Sequence, residues 1–172
     1  MHPETSIDID VQLEFNDYLK ANSWFLWRKF KWLIVLLLIA AVVYPLIVVV
    51  RYSSGVTVNY AWAYFVPWAL LLVLLVSSYS GAKQHMASNK ALHEKIHYVF
   101  SESGMDTTAA SFSGTMAWQN VFAAHETGSN FLIFIARNMM YIIPKRCFQS
   151  AEQIDAFKRL LRAELGNKAK WK

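Results

Sequence analysis

Charge is absent from two stretches of this sequence: Trp32 to Val50 and Tyr60 to Tyr79 hold no Asp, Glu, Lys, Arg or His. At about 1.5 Å of rise per residue, runs of this length make helices of about 28–30 Å, close to the bilayer hydrocarbon core of about 30 Å. Cysteine is scarce, since Cys147 is the only one. An intrachain disulfide is therefore excluded and a thiolate metal site lacks its ligands, which suits a reducing, cytoplasmic face. The sequence has no glycine-rich phosphate loop and no G-x-S-x-G elbow, the motifs that would carry phosphate binding or a strained nucleophile. Internal repeats and low-complexity linkers are missing as well.

The charge that is present lies around the uncharged runs. Lys20, Arg28, Lys29 and Lys31 precede the first and Lys83, Lys90 and Lys95 follow the second, whereas the connector carries only Arg51. By the positive-inside rule this predicts a two-pass hairpin with both termini in the cytoplasm and Tyr52 to Asn59 as a small external loop. Trp24, Trp27 and Trp32, with Tyr60 and Trp62, suit interfacial anchoring, because an amphipathic ring sits well at headgroup level. A cleavable signal peptide is the rival reading. It is disfavoured because the first run begins only at Trp32 and the bulky Val50, Arg51 and Tyr52 offer no small-x-small site after it. Pro45 and Pro67 are expected as tolerated packing kinks. The net charge of +5 would suit nucleic acid in a soluble protein, but much of the excess is juxtamembrane. The expected partner is therefore the lipid bilayer and not nucleic acid.

Outside the hairpin the pattern is that of a small globular unit. Ile7, Ile9, Val11, Leu13 and Phe15 alternate with polar residues, predicting a half-buried strand that must join a sheet formed elsewhere in the chain. Asn16 is the expected cap of a helix leading into the first span. Residues 81–95 read as a polar stalk or an extension of the membrane helix. Short strands follow at Ile96–Phe100, Met105–Phe112, Met116–Glu126, Phe131–Arg137 and Met139–Ile143. Turns are expected at Ser101–Gly104, Ser113–Gly114, Gly128–Asn130 and Asn138, giving an antiparallel meander. Ser150 with Gln153 forms a capping-box pattern opening a helix with Ile154, Phe157, Leu161 and Leu165 on one face. Gly166 ends that helix, and Lys168, Lys170, Trp171 and Lys172 form a basic tail.

Glu102-Ser103-Gly104-Met105, then Trp118-Gln119-Asn120-Val121, then Tyr141-Ile142-Ile143-Pro144-Lys145-Arg146-Cys147-Phe148, and finally Phe157-Lys158-Arg159-Leu160-Leu161 form a series of short motifs behind a two-span hairpin. Together they resemble the YcxB-like membrane proteins of bacteria. The resemblance implies a cytoplasmic domain similar to bacterial pleckstrin-homology-like folds, a strongly bent sheet closed at one end by a C-terminal helix. It implies no catalytic or binding residues.

Candidate sites are few. His93-Glu94-Lys95-Ile96-His97 matches H-E-x-x-H literally, which on a helix would place two zinc ligands and a general base on one face. The strand-forming Tyr98-Val99-Phe100 follows at once, so a chance match on a polar stalk is preferred and a membrane zinc hydrolase is kept as an alternative. His125 and Glu126 are strand neighbours pointing to opposite faces and are expected to be solvated. Lys145 and Arg146, stiffened by Pro144, are candidate contacts for phosphate or a partner carboxylate, with a solvated pair as the plainer account. Specific phosphoinositide binding is disfavoured, because the hairpin Ser101-Glu102-Ser103-Gly104 has no basic cluster. Trp118 is expected in the core.

The sequence thus predicts an α+β membrane protein divided into residues 1–31 (cytoplasmic strand and interfacial helix), 32–80 (transmembrane hairpin), 81–95 (stalk) and 96–172 (pleckstrin-homology-like domain with an antiparallel sheet and C-terminal helix). The expected setting is the bacterial plasma membrane. The expected role is a membrane-anchored interaction or regulatory module, without catalysis or cofactor, that binds a protein partner or further copies of itself. A small oligomeric channel or transporter is a second alternative, disfavoured because neither span carries an ionisable residue.

Overall fold

The computed structural model describes residues 6–55 and 65–170. Two compact units emerge, one from Asn22 to Gln84 and one combining the chain up to Ala21 with everything from His85 onward.

The first unit is helical. Through their uncharged runs the long helix α1 (Phe15–Ser53) and the shorter α2 (Val66–Ser88) are apolar all round rather than along one stripe. Such helices satisfy their own backbone and need a surrounding apolar medium. Both are long and apolar enough to cross a membrane, and only 6% of each most apolar window is buried within the chain. Small residues allow what contact there is, as at Ala41, which is buried, and Asn22 Nδ2 donates to Ser78 Oγ at 3.5 Å. At the end of α1 the Ser53 and Ser54 hydroxyls both donate to the Val50 carbonyl, and Gly55 adopts a positive φ of 75°. Helix α1 continues through Pro45. Pro67 lies in the first turn of α2, where its missing N–H costs nothing, so it is a start residue and not the expected kink. Tyr60, Trp62 and residues 56–59 of the expected external loop lie outside the described residues. Helix α2 runs on to Ser88, through much of the expected stalk, and a 3-10 turn follows at Lys90–His93.

The second unit holds two four-stranded sheets. One has the order β1-β2-β3-β4, from β1 (Ile7–Val11), β2 (Ile96–Ser101), β3 (Gly104–Thr108) and β4 (Ser113–Ala117). The other has the order β7-β6-β5-β8, from β5 (Ala123–Glu126), β6 (Asn130–Ala136), β7 (Met139–Pro144) and β8 (Ala169–Lys170). All neighbours are antiparallel except β5 and β8. The period-2 alternation puts Ile7, Ile9 and Val11 on the buried face of β1, which pairs with β2 from Ile7 opposite Phe100 to Val11 opposite Ile96. Helix α3 (Ala151–Leu165) supplies the centre of the core. Phe157 is fully buried, with its ring 4.6 Å from Phe100, 5.1 Å from Phe131 and 5.2 Å from Phe148. Burying rings of this size contributes about 1.5–3 kcal/mol each, before entropy is charged against it. Trp118 stacks on Phe100 and donates Nε1–H to the Ser101 carbonyl at 2.8 Å, as a buried indole requires.

The capping box forms with one displacement. Ser150 Oγ accepts from the Gln153 N–H at 3.2 Å, but Gln153 Oε1 accepts from the N–H of Gln149 rather than that of Ser150. The Gln153 amide then donates to the Asp8 carbonyl, tying α3 to β1. Gly166 closes the helix at a positive φ of 50°.

Several expected boundaries are corrected. Asn16 does not cap α1, because the helix already begins at Phe15 and Asp17 Oδ2 accepts the Glu14 N–H at 3.2 Å. Ser113 and Gly114 are strand residues, and the turn lies at Ala109–Phe112, closed by the Ala109 N–H on the Phe112 carbonyl. The single strand expected at Met116–Glu126 is broken by a 3-10 turn at Trp118–Asn120, whose tight winding turns the Trp118 ring into the core. Asn130 begins β6 rather than ending a turn. In the basic tail Lys168 Nζ donates to the Val121 carbonyl at 3.0 Å and Ala169–Lys170 pairs with β5.

Candidate functional site

Taking the sequence candidates first, the structure disperses the H-E-x-x-H residues. His93 ends a 3-10 turn with Nε2 2.9 Å from the Met86 carbonyl, Glu94 accepts the Ser111 N–H at 2.9 Å, and His97 lies on β2 with Nδ1 2.8 Å from Asp10 Oδ1. The helical face that the motif needs is not formed. Among the described residues no group of three or more His, Cys, Asp or Glu is placed to hold a metal ion. Lys95 joins the same carboxylate at 2.7 Å, and the bonds from Lys95 and His97 hold Asp10 below the usual carboxylate value.

His125 and Glu126 are not solvated, contrary to expectation. His125 is buried, with its ring edge-on to Phe134, and the Glu126 side chain is only 8% exposed. Glu126 Oε1 receives Lys145 Nζ at 2.6 Å and Lys158 Nζ at 2.8 Å. Burial pushes the carboxyl upward, but the two lysine bonds outweigh it and leave Glu126 below its ordinary value. Lys145 also lies over the Phe131 ring, 5.2 Å from its centroid.

Arg146 is engaged on another side. Its guanidinium meets Asp17 Oδ2 at 2.7 Å, Glu14 Oε1 at 3.2 Å and the Gln12 carbonyl at 2.8 Å, and the Asp17 bond raises its affinity for the proton. Beside it, burial raises the Cys147 thiol. Asn130, fully buried, donates Nδ2–H to the Asp17 carbonyl at 3.1 Å, so the start of α1 is held by β6 as well as by Arg146. Lys145 and Arg146 are therefore not the solvated pair that the plainer account expected. Each closes an internal ion pair, although Arg146 keeps a side-chain exposure of 44%.

What sequence reasoning missed is a cavity of about 450 Å³ in the sheet unit. Leu13, Leu92, Ile96, Ile135, Met140 and Ile142 give it an apolar wall. Phe112 and Met139, 38% and 60% exposed, also line it. Its polar atoms come from Tyr18, Tyr98, Tyr141, His85, Asn89 and Asn138. Tyr18 stacks on His85 with centroids 5.6 Å apart, and Tyr141 meets Tyr98 edge-on at 6.2 Å. Burial, reinforced by Tyr141, pushes the Tyr98 phenol upward, so it stays a hydrogen-bond donor at any physiological pH. A second cavity shares Phe112, Ile135 and Tyr141 with the first and adds Thr107, Ser113, Thr115 and Asn120.

Residues 100–161 match a family model described as YcxB-like protein, the family whose motifs the sequence resembles. The matched stretch runs from Phe100 near the end of β2 to Leu161 in α3 and so takes in β3 to β7 and most of the closing helix, but not β1 or β8. No curated protein and no solved structure matches the chain.

Proposed function

We propose that the protein is a two-pass integral membrane protein of the bacterial plasma membrane, with both termini cytoplasmic, whose sheet unit is a pleckstrin-homology-like interaction module without catalysis. One observation carries this reading: two helices leave almost all of their apolar surface uncovered, while a separate unit has its own aromatic core. Apolar faces of that extent require an apolar surrounding, and a unit with its own core needs none. Orientation is supported by the seven-to-one excess of Lys and Arg on the terminal sides of the uncharged runs. Two sheets, antiparallel but for the β5–β8 pair, and the helix α3 packed on them support the fold comparison. The separate partners of His93, Glu94 and His97 count against the zinc hydrolase alternative.

Crosslinking in the native membrane, followed by mass spectrometry, tests the role. The expected result is a recurrent protein partner, or a second copy of this chain, attached through lysines of the sheet unit and recovered equally from Glu94→Gln. Absence of any recurrent protein crosslink overturns the interaction module. Stoichiometric zinc in the purified protein, lost in His93→Ala or His97→Ala, would replace it with the hydrolase.

A further inference from the structure

The two apolar helices leave a groove of about 470 Å³ between them. Ser23, Trp27, Phe30 and Ile34 recur at helical spacing and form its wall on α1, and Leu75 and Ser78 stand opposite on α2. The wall is bulky and open, with Trp27 53% and Leu75 69% exposed. Lys29 borders it, its Nζ 5.4 Å from the centroid of the Phe30 ring, and Lys31 follows Phe30 in the chain. The whole unit from Asn22 to Gln84 carries Arg28, Lys29, Lys31, Arg51 and Lys83 but no Asp or Glu. That imbalance selects the occupant. A second copy seated here would bring its own Arg28, Lys29 and Lys31 with no carboxylate to meet them, and like charge is costly where water is scarce. An extended peptide would leave backbone donors and acceptors unpaired against apolar side chains. A lipid without net charge fills the groove but brings no counter-charge. A phospholipid of net negative charge does both, since its acyl chain covers the wall and its phosphate answers the lysines.

We propose that the groove between α1 and α2 is the seat of an anionic phospholipid of the phosphatidylglycerol class. An acyl chain lies against Phe30 and Ile34, and the phosphate meets Lys29 and Lys31. Ser78 Oγ accepts from Asn22 Nδ2 and keeps its own proton to donate to a head-group oxygen. The site requires α1 and α2 to lie in a bilayer and so rests on the insertion proposed above.

The test places the full chain in phosphatidylcholine nanodiscs that contain a small, equal fraction of either phosphatidylglycerol or phosphatidylcholine bearing a photoactivatable diazirine in an acyl chain, and maps the adducts by mass spectrometry. Residues 22–34 should carry about tenfold more adduct from the phosphatidylglycerol probe than from the phosphatidylcholine probe, whereas residues 36–50, away from the lysines, should be labelled equally by both. Lys29→Gln should lower that preference about fivefold. The side chain is exposed, so its replacement leaves the helix packing intact. Arg51→Gln, at the other end of α1, should leave the preference unchanged. Equal labelling of residues 22–34 by the two probes, a preference unchanged in Lys29→Gln, or adducts on residues 36–50 with none on residues 22–34, as when protein covers the groove, would each overturn the lipid site while leaving insertion standing. No adduct from either probe anywhere on residues 22–84 would withdraw insertion itself, and the site with it.

Discussion

Glu126 shows how one carboxylate organises its surroundings. It is nearly buried and accepts from two lysines on different elements, Lys145 after β7 and Lys158 on α3. Its pKa in the folded protein is depressed below the ordinary 4.5, so its stabilisation is fully present above about that pH and is lost as pH falls through the folded value. Glu126→Gln should cost about 2–3 kcal/mol at pH 7, because two partly buried ammoniums lose their counter-charge, and should flatten the acid limb of the stability curve. Denaturant unfolding of wild type and variant between pH 7 and pH 3 checks both expectations, and a stability difference independent of pH would contradict the ion-pair account. The same geometry changes how Lys145 and Arg146 can be probed. Reversing both to Glu leaves Glu126 with Lys158 alone and sets like charge against Glu126 and Asp17, so a loss of partner recovery in that variant reports unfolding unless protease resistance is shown to be intact. None of this was legible in the sequence. Lys158 is distant from Glu126 along the chain and Asp17 still more so from Arg146, and neighbour patterns along a strand carry no information about such partners.

Elements whose signal is local and periodic were legible. The alternation at Ile7, Ile9 and Val11 gave β1 with its buried face, and Ser150 with Gln153 gave the start of α3. Elements set by tertiary contact were not. The turn at Trp118–Asn120 lies in an apolar stretch with no Gly or Pro to announce it and exists because Trp118 reaches Phe100 and the Ser101 carbonyl. Strand β8 is two residues long and is defined only by β5. The cavity is assembled from strands, helix ends and connecting segments far apart in sequence, which is why it had no signature. The burial of Val11 at the end of β1 and of Leu13 just after it predicts that Val11→Asp combined with Leu13→Asp removes two buried side chains worth about 1.5–3 kcal/mol each. The loss should appear as protease sensitivity across residues 96–165. Wild-type resistance in that double variant would mean that β1 contributes little to the unit it pairs with.

For the whole molecule, the feature to be explained is the coexistence of uncovered apolar helices with a self-sufficient sheet unit. In water the exposed Trp32, Leu36, Leu75 and their neighbours would form a patch far larger than monomeric proteins tolerate. In a bilayer the same surface is satisfied, and the cations nearby have a defined place. Arg28 lies over the Trp24 ring and Lys31 over the Trp32 ring, pairs that suit the headgroup layer, where an aromatic face and an ammonium or guanidinium are both welcome. If the basic clusters at both ends of the hairpin face the cytoplasm, a periplasm-active reporter fused after Ser54 should be active and the same reporter fused after Lys172 inactive. Moving the bias should move the topology: adding four lysines within the Tyr52–Asn59 connector while replacing Arg28, Lys29 and Lys31 with Gln should lower activity after Ser54 and raise it after Lys172. Activity at the C-terminus of the unaltered chain would put the sheet unit on the opposite side of the membrane and withdraw the cytoplasmic reading. Its partners would then have to be sought outside.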